Sequence, residues 1–180
     1  MSIDELKKVD NTFDESTFYS KVNNVFIKLM TARMIGNLDD VKHFVSDELY
    51  KEEVNRNLEH KNNGIKQMYD ELNVKDSKIT EIEVNDNVYT IKVFLQSRYM
   101  DYIIDLDSGN LVSGNDTSRI QRDYVLVFSK NKNALEQSSI RRCPGCGASI
   151  DVNSSGVCDY CGTTYNLEKY DWILNSIENS

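Results

Sequence analysis

Residues 13–50 read FDESTFYSKVNNVFIKLMTARMIGNLDDVKHFVSDELY, and the spacing of apolar positions in this stretch decides the fold class. Phe18, Val22, Val25, Leu29 and Ala32 recur at steps of three and four, with Phe26 and Met30 widening the stripe. That period predicts one long amphipathic helix over residues 14–35. Asp14 stands at its N-cap, Phe13 is placed to staple onto Phe18, and Gly36 ends it. Asn37 then predicts the cap of a short second helix, with Asp39 and Asp40 at its positive end. Ser46-Asp47-Glu48 repeats the start signal for a third helix. That helix carries Leu49, Tyr50, Val54 and Leu58 and closes at Asn62-Asn63-Gly64.

After Gly64 the period drops to two. Residues 79–84 alternate, Asn85-Asp86-Asn87 makes a turn, and Val88 to Ile104 runs as one long strand. Tyr89, Ile91, Val93, Leu95 and Tyr99 share one face of it, and Lys92, Gln96 and Arg98 the other. Residues 107–110 and 113–116 read as loops. Arg119 to Lys130 is the next strand, apolar on both faces at its centre from Tyr124 to Phe128, which places it inside the sheet. Residues 131–139 form a polar linker. At the C-terminus, Tyr170, Ile173, Leu174 and Ile177 match a helix face, whereas Trp172 and Leu174 match a strand face. Periodicity leaves that segment open.

All four cysteines fall between these parts, as Cys143-Pro144-Gly145-Cys146-Gly147 and Cys158-Asp159-Tyr160-Cys161-Gly162. A CxxC turn brings two sulfurs to one point, and two such turns supply the tetrahedral four-thiolate shell that Zn²⁺ accepts. Gly147 and Gly162 each follow a second cysteine, where a positive φ turns backbone N–H groups toward sulfur. Pro144, the sole proline, stiffens the first turn. A redox pair has no need of a twin at this spacing, and a disulfide framework suits a secreted chain. The pattern therefore predicts one structural Zn²⁺ on Cys143, Cys146, Cys158 and Cys161. Four thiolates close the shell and leave no position for a reactive water. The ribbon is expected over residues 141–166, inserted into an α+β domain formed by residues 1–140 and 167–180.

The 180 residues carry a formal net charge of −8, from 29 acidic and 21 basic side chains. An acidic chain is a poor general ligand for nucleic acid or an anionic membrane surface. From Ile140 onward three basic residues (Arg141, Arg142, Lys169) face five acidic ones (Asp151, Asp159, Glu168, Asp171, Glu178). A ribbon that reads nucleic acid needs a basic stripe, so no nucleic-acid partner is expected. The first residues have no apolar core like that of a secretory signal, and no apolar run approaches a membrane span of about 18 residues. A cytoplasmic or similarly reducing location is the expectation.

The stretch 13–50 resembles the opening of the Tim44-like domain, a family named for the C-terminal domain of a mitochondrial inner-membrane import subunit, with soluble bacterial relatives. It belongs to the cone-shaped α+β superfamily of nuclear transport factor two, in which helices pack into a curved antiparallel sheet. DYVLVF at 123–128 and YDWILNSI at 170–177 fall where that fold has its last two strands. A bacterial subgroup carries a zinc ribbon between them, the position of the ribbon here. The resemblance covers nearly the whole chain. It departs at Arg33, where the family often has an aromatic residue, and at Val125, where Trp is frequent. It implies a final strand at 170–177, with Trp172 folding back beside the strand at 119–130.

The resemblance further implies a non-catalytic adaptor or transport-related binding protein that contacts other proteins and reaches membranes only through a partner. A second reading places a small molecule or lipid in a pocket of the curved sheet, lined by Tyr99, Asp101, Tyr102, Asp123 and Tyr124, although core and sheet-edge roles suit these residues as well. A third is an isomerase- or dehydratase-like enzyme, for which Asp101 is the one candidate base. His43 and His60 lie on predicted helices among charged neighbours, where solvated or packing roles are the ordinary assignment. No nucleophile, catalytic metal or phosphate-cradling motif is present, and the chain is expected not to be an enzyme.

Overall fold

The computed structural model describes residues 1–132, 143, 145–149, 158–163 and 171–180. Three helices, α1 (Ile3–Val9), α2 (Glu15–Ile35) and α3 (Asp47–Asn62), precede an antiparallel sheet of five strands. The strands are β1 (Ile65–Val84), β2 (Val88–Asp105), β3 (Leu111–Gly114), β4 (Ile120–Asn131) and β5 (Ile173–Asn179). Their order is β1-β2-β4-β5, with β3 pairing beside the end of β2. This is the expected α+β arrangement of N-terminal helices on an open antiparallel sheet, and the cysteines lie in the connection before the last strand.

Helix α2 follows its sequence signals. The Asp14 carboxylate accepts from the Thr17 amide, Phe13 and Phe18 meet at 5.5 Å between ring centroids, and Gly36 ends the helix at φ 77°. Its apolar stripe lies on the inner face of the sheet, where Ile91, Val93, Leu95, Leu126 and Phe128 are fully buried. Each such side chain contributes about 1.5–3 kcal/mol through removal from water. Ser46 caps α3 by accepting from the Leu49 amide, and its own amide donates to Leu174 O on β5 at 2.9 Å. The start of α3 is thereby fixed to the edge strand.

Six details differ from the sequence reading, one being that Ser113 and Gly114, read as loop, end strand β3. The segment before Asp10 forms α1, started by a reciprocal capping box between Ser2 and Glu5 and held by fully buried Leu6. Asn37 caps no helix; its side chain accepts from the Asp39 amide in a local turn, and only a 3₁₀ turn at Lys42–Phe44 follows. In α3 Leu58 faces solvent, and Glu53 takes the inner position. Strand β1 starts at Ile65 rather than Ile79, because register shifts after Asp70 and Val74 break the alternation that marks a strand in sequence. Bulges of this kind bend a strand and increase its twist. Strand β4 is interior in strand order, as expected, but only one of its faces is buried: Val125 and Val127 are half-covered.

The C-terminal segment is a strand. Ile173 to Asn179 pairs antiparallel with β4, and Trp172 sits at its entrance, 5% exposed. The indole lies 5.3 Å from the Phe18 ring and 6.1 Å from Phe13. Beside it, Asp171 pairs with Lys21 of α2. A second buried pair ties the N-terminus to the sheet. Lys130 donates to Asp10 at 2.7 Å and to Thr12 at 2.9 Å, with Asp10 wholly inaccessible to solvent. Pro144, the linker from residue 133 on and most of the expected ribbon lie outside the described residues.

Candidate functional site

The two CxxC turns have the same backbone. Cys143 N donates to Ala148 O and Gly147 N to Cys143 O, and the pattern repeats as Cys158 N to Thr163 O and Gly162 N to Cys158 O, all at 2.8–2.9 Å. Gly147 and Gly162 adopt φ of 73° and 72°, the left-handed values expected of residues that close such turns. The turns approach so closely that a Cβ on Gly145 would lie 2.2 Å from the Thr163 hydroxyl oxygen.

The ligand atoms of Cys143, Cys146, Cys158 and Cys161 all lie within 4.8 Å of one another. The Cys143–Cys161 and Cys146–Cys158 sulfur pairs stand 3.5 and 3.7 Å apart. Tetrahedral coordination with metal–sulfur bonds of about 2.3 Å requires about 3.8 Å between sulfurs, so the donor set fits Zn²⁺. Gly145 N donates to Cys143 Sγ at 3.3 Å, and the Thr163 hydroxyl lies 3.1 Å from Cys161 Sγ. Contacts of this kind orient thiolate ligands. Among the described residues no His, Asp or Glu joins the cluster. Bound there, the metal would supply a cross-link between the two turns.

A separate site lies on the inner face of the sheet, at the end away from Trp172. A cavity of about 280 Å³ is lined by Tyr99, Asp101 and Tyr124, three of the five residues named from the sequence. Tyr102 and Asp123 do not line it. Side chains alternate between the faces of a strand, and these two occupy the outer face. There Tyr102 donates to Asp70 at 2.5 Å, a bond that with burial pushes its pKa up to about 12, and Asp123 accepts from Gln121.

The sequence reading missed the cationic part of this cavity, which consists of Arg33 from α2, Arg56 from α3 and Arg122 from β4. Arg33 is buried and grips Glu53 in a two-point contact, Nε to Oε2 at 2.7 Å and NH2 to Oε1 at 2.6 Å. Burial works against the Arg33 charge, and the Glu53 carboxylate more than offsets it, holding the guanidinium above its ordinary pKa. A signal was present in the sequence. Arg33 continues the Phe26–Met30 stripe and Glu53 follows Leu49 by one turn, so opposite charges occupy the inward faces of two helices.

On the sheet side, the Tyr99 and Tyr124 hydroxyls meet at 2.5 Å, and burial raises the pKa of both phenols. Asp101 accepts from Gln67 at 2.8 Å and stands 3.5 Å from Arg122. Neither His43 nor His60 lines this cavity. His43 is in the 3₁₀ turn, where burial and then Lys42 lower its pKa, and His60 is in the last turn of α3.

Helices laid on an open antiparallel sheet, with a metal-fitting cysteine cluster before the last strand, define a helix-covered α+β fold rather than any particular chemistry. The Tim44-like domain profile matches residues 1–139, and the chain belongs to the Tim44-like domain family. No curated protein matches the sequence. Among solved structures it is similar to the intermembrane-space region of the chloroplast protein ARC6, at a TM-score of 0.42 and 10% identity, over 89% of this chain and 94% of that one. No helix among the described residues is long and apolar enough to cross a membrane.

Proposed function

We propose that this protein is a non-catalytic, zinc-stabilised adaptor or transport-related binding protein that acts through protein–protein contacts. The four-sulfur cluster carries the reading, because four thiolates fill the coordination shell of Zn²⁺ and assign the metal to structure rather than catalysis. Membership of the Tim44-like domain family supports a protein-binding or transport-related role. In this reading residues 1–140 and 167–180 form the α+β domain, and residues 141–166 form a zinc ribbon that serves as a rigid handle. The protein works in the cytoplasm and reaches membranes only through its partner. The acid considered as a general base, Asp101, is held between Gln67 and Arg122, an engagement that suits a hydrogen-bond acceptor in a binding site.

Affinity capture from the source cells is the test, with wild-type protein and a Cys143→Ser/Cys158→Ser variant compared by quantitative mass spectrometry. A partner enriched by wild type and depleted at least tenfold with the variant is the expected result. Equal recovery of every captured protein by both would contradict the handle role.

A second reading is small-molecule binding on the inner face of the sheet. It is favoured by one observation, the cavity of about 280 Å³ that gathers Tyr99, Asp101 and Tyr124.

A further inference from the structure

We infer that the cavity between α2, α3 and the inner face of the sheet is a binding site for a small organic anion bearing a carboxylate or phosphate group. The inference rests on the second reading above and specifies its ligand class. Three guanidinium groups, of Arg33, Arg56 and Arg122, converge on a site whose carboxylates are Glu53 and Asp101, which leaves one positive charge in a chain of net charge −8. A local positive charge against that background concentrates anions at this place.

The arginines are arranged for capture as well as for charge. Arg33 forms the floor and is fixed by its two-point contact with Glu53, so it pays little additional ordering cost on binding a ligand. Arg56 and Arg122 are half-exposed at the rim. Their carboxylate partners stand 3.7 and 3.5 Å away, well beyond the roughly 2.7–2.9 Å of a direct charge-assisted bond. Both guanidiniums therefore retain donor capacity for an incoming oxyanion, which their planar forks match in two-point geometry.

The neutral groups fit the same ligand. Of the two hydroxyls in the Tyr99–Tyr124 pair, whichever donates, one O–H remains for a third partner. The Tyr69 ring packs edge-on against Tyr99 at 5.3 Å and brings another phenol to the wall. Burial raises the pKa of all three phenols, so they remain donors at neutral pH. Among the described residues Ile177 is the only aliphatic one in the lining, which disfavours a lipid chain. The volume lies just below the roughly 300–1,000 Å³ of drug-sized ligand sites and so selects a small molecule.

The test is titration of the ¹⁵N-labelled protein with inorganic phosphate, succinate, glycerol and dodecanol, each followed by amide chemical shifts. Saturable shifts at Gln67, Tyr99, Asp101 and Tyr124 are expected with phosphate or succinate and not with glycerol. The anion that binds more tightly identifies the headgroup. The Arg56→Ala/Arg122→Ala variant, altered only at half-exposed positions, is expected to weaken that binding at least tenfold with its melting temperature unchanged. No saturable shift with either anion up to about 20 mM, where even a millimolar site is filled, would overturn the inference. So would shifts that persist undiminished in the double variant. Binding of dodecanol but of neither anion would keep the cavity as a pocket and overturn its anionic ligand, whereas binding of none of the four would remove both.

Discussion

Removing zinc from the purified protein is expected to melt the paired cysteine turns and leave the helix–sheet body folded, its melting temperature lowered by only about 2 °C. The two parts respond differently because they depend on the metal differently. A cysteine ribbon has no apolar core of its own, and metal binding in such modules contributes on the order of 10 kcal/mol or more, so the turns cannot persist without it. The body loses only a shorter loop. About 40 residues connect Asn131 of β4 to Ile173 of β5, and a clip between Cys143 and Cys161 removes about half of them from the closure. Loop-closure entropy grows with the logarithm of length, so opening the clip costs the β4–β5 pairing about 0.6 kcal/mol.

Trp172 reports which part has unfolded, because it is the only tryptophan and is packed against Phe13 and Phe18. Its emission is expected to remain blue-shifted after chelation while the four thiols become reactive. Loss of both the Trp172 signal and the far-ultraviolet β signal would contradict the separation of the two parts. Metal release should also become easier as pH falls, since thiolates must take up protons to let the metal go.

The second large effect concerns the buried pair on which the cavity is built. Glu53→Ala is expected to destabilise the protein by about 3–5 kcal/mol, because it leaves the Arg33 charge buried without its partner. For a chain of this length that corresponds to a fall of roughly 10 °C or more in melting temperature. The joint change Arg33→Met/Glu53→Leu is expected to lie near wild type, since it removes both charges and their desolvation cost together. Thermal and urea melts of the single and double variants give the comparison. A loss below about 1 kcal/mol for Glu53→Ala would mean that cavity water, not Glu53, compensates the guanidinium.

The elements legible in sequence are those in which a single periodicity holds over many residues. Helix α2 is a 21-residue example, with its cap, staple and terminating glycine all where the sequence places them. Strand β2 alternates without interruption from Tyr89 to Tyr99, and its inner face is buried as expected. Strand β1 was legible only from Ile79, because two register shifts, after Asp70 and Val74, exchange inner and outer positions upstream. Glu71, within the first of them, adopts φ 55°, which no period-two pattern encodes. The short helix expected after Asn37 failed for a local reason: an Asn side chain serves a turn as readily as a cap.

The two candidate sites differ in the same way. Four cysteines in two short turns are a local signal, so the sequence read them as one set, and their ligand atoms lie together. The cavity draws Arg33 and Arg56 from two helices and Gln67 and Arg122 from two strands, so no single stretch of the sequence displays it. Reading along β2 alone found Tyr99 and Asp101 but also accepted Tyr102, whose side chain the same alternation turns to the opposite face.

The central claim, that the cysteine cluster is a closed structural zinc site, is tested most directly by the metal content of the protein as isolated from cells. Native mass spectrometry and elemental analysis are expected to give one zinc per chain, lost in Cys143→Ser/Cys158→Ser. Protein that contains no zinc and presents four freely reactive thiols under native conditions would contradict it.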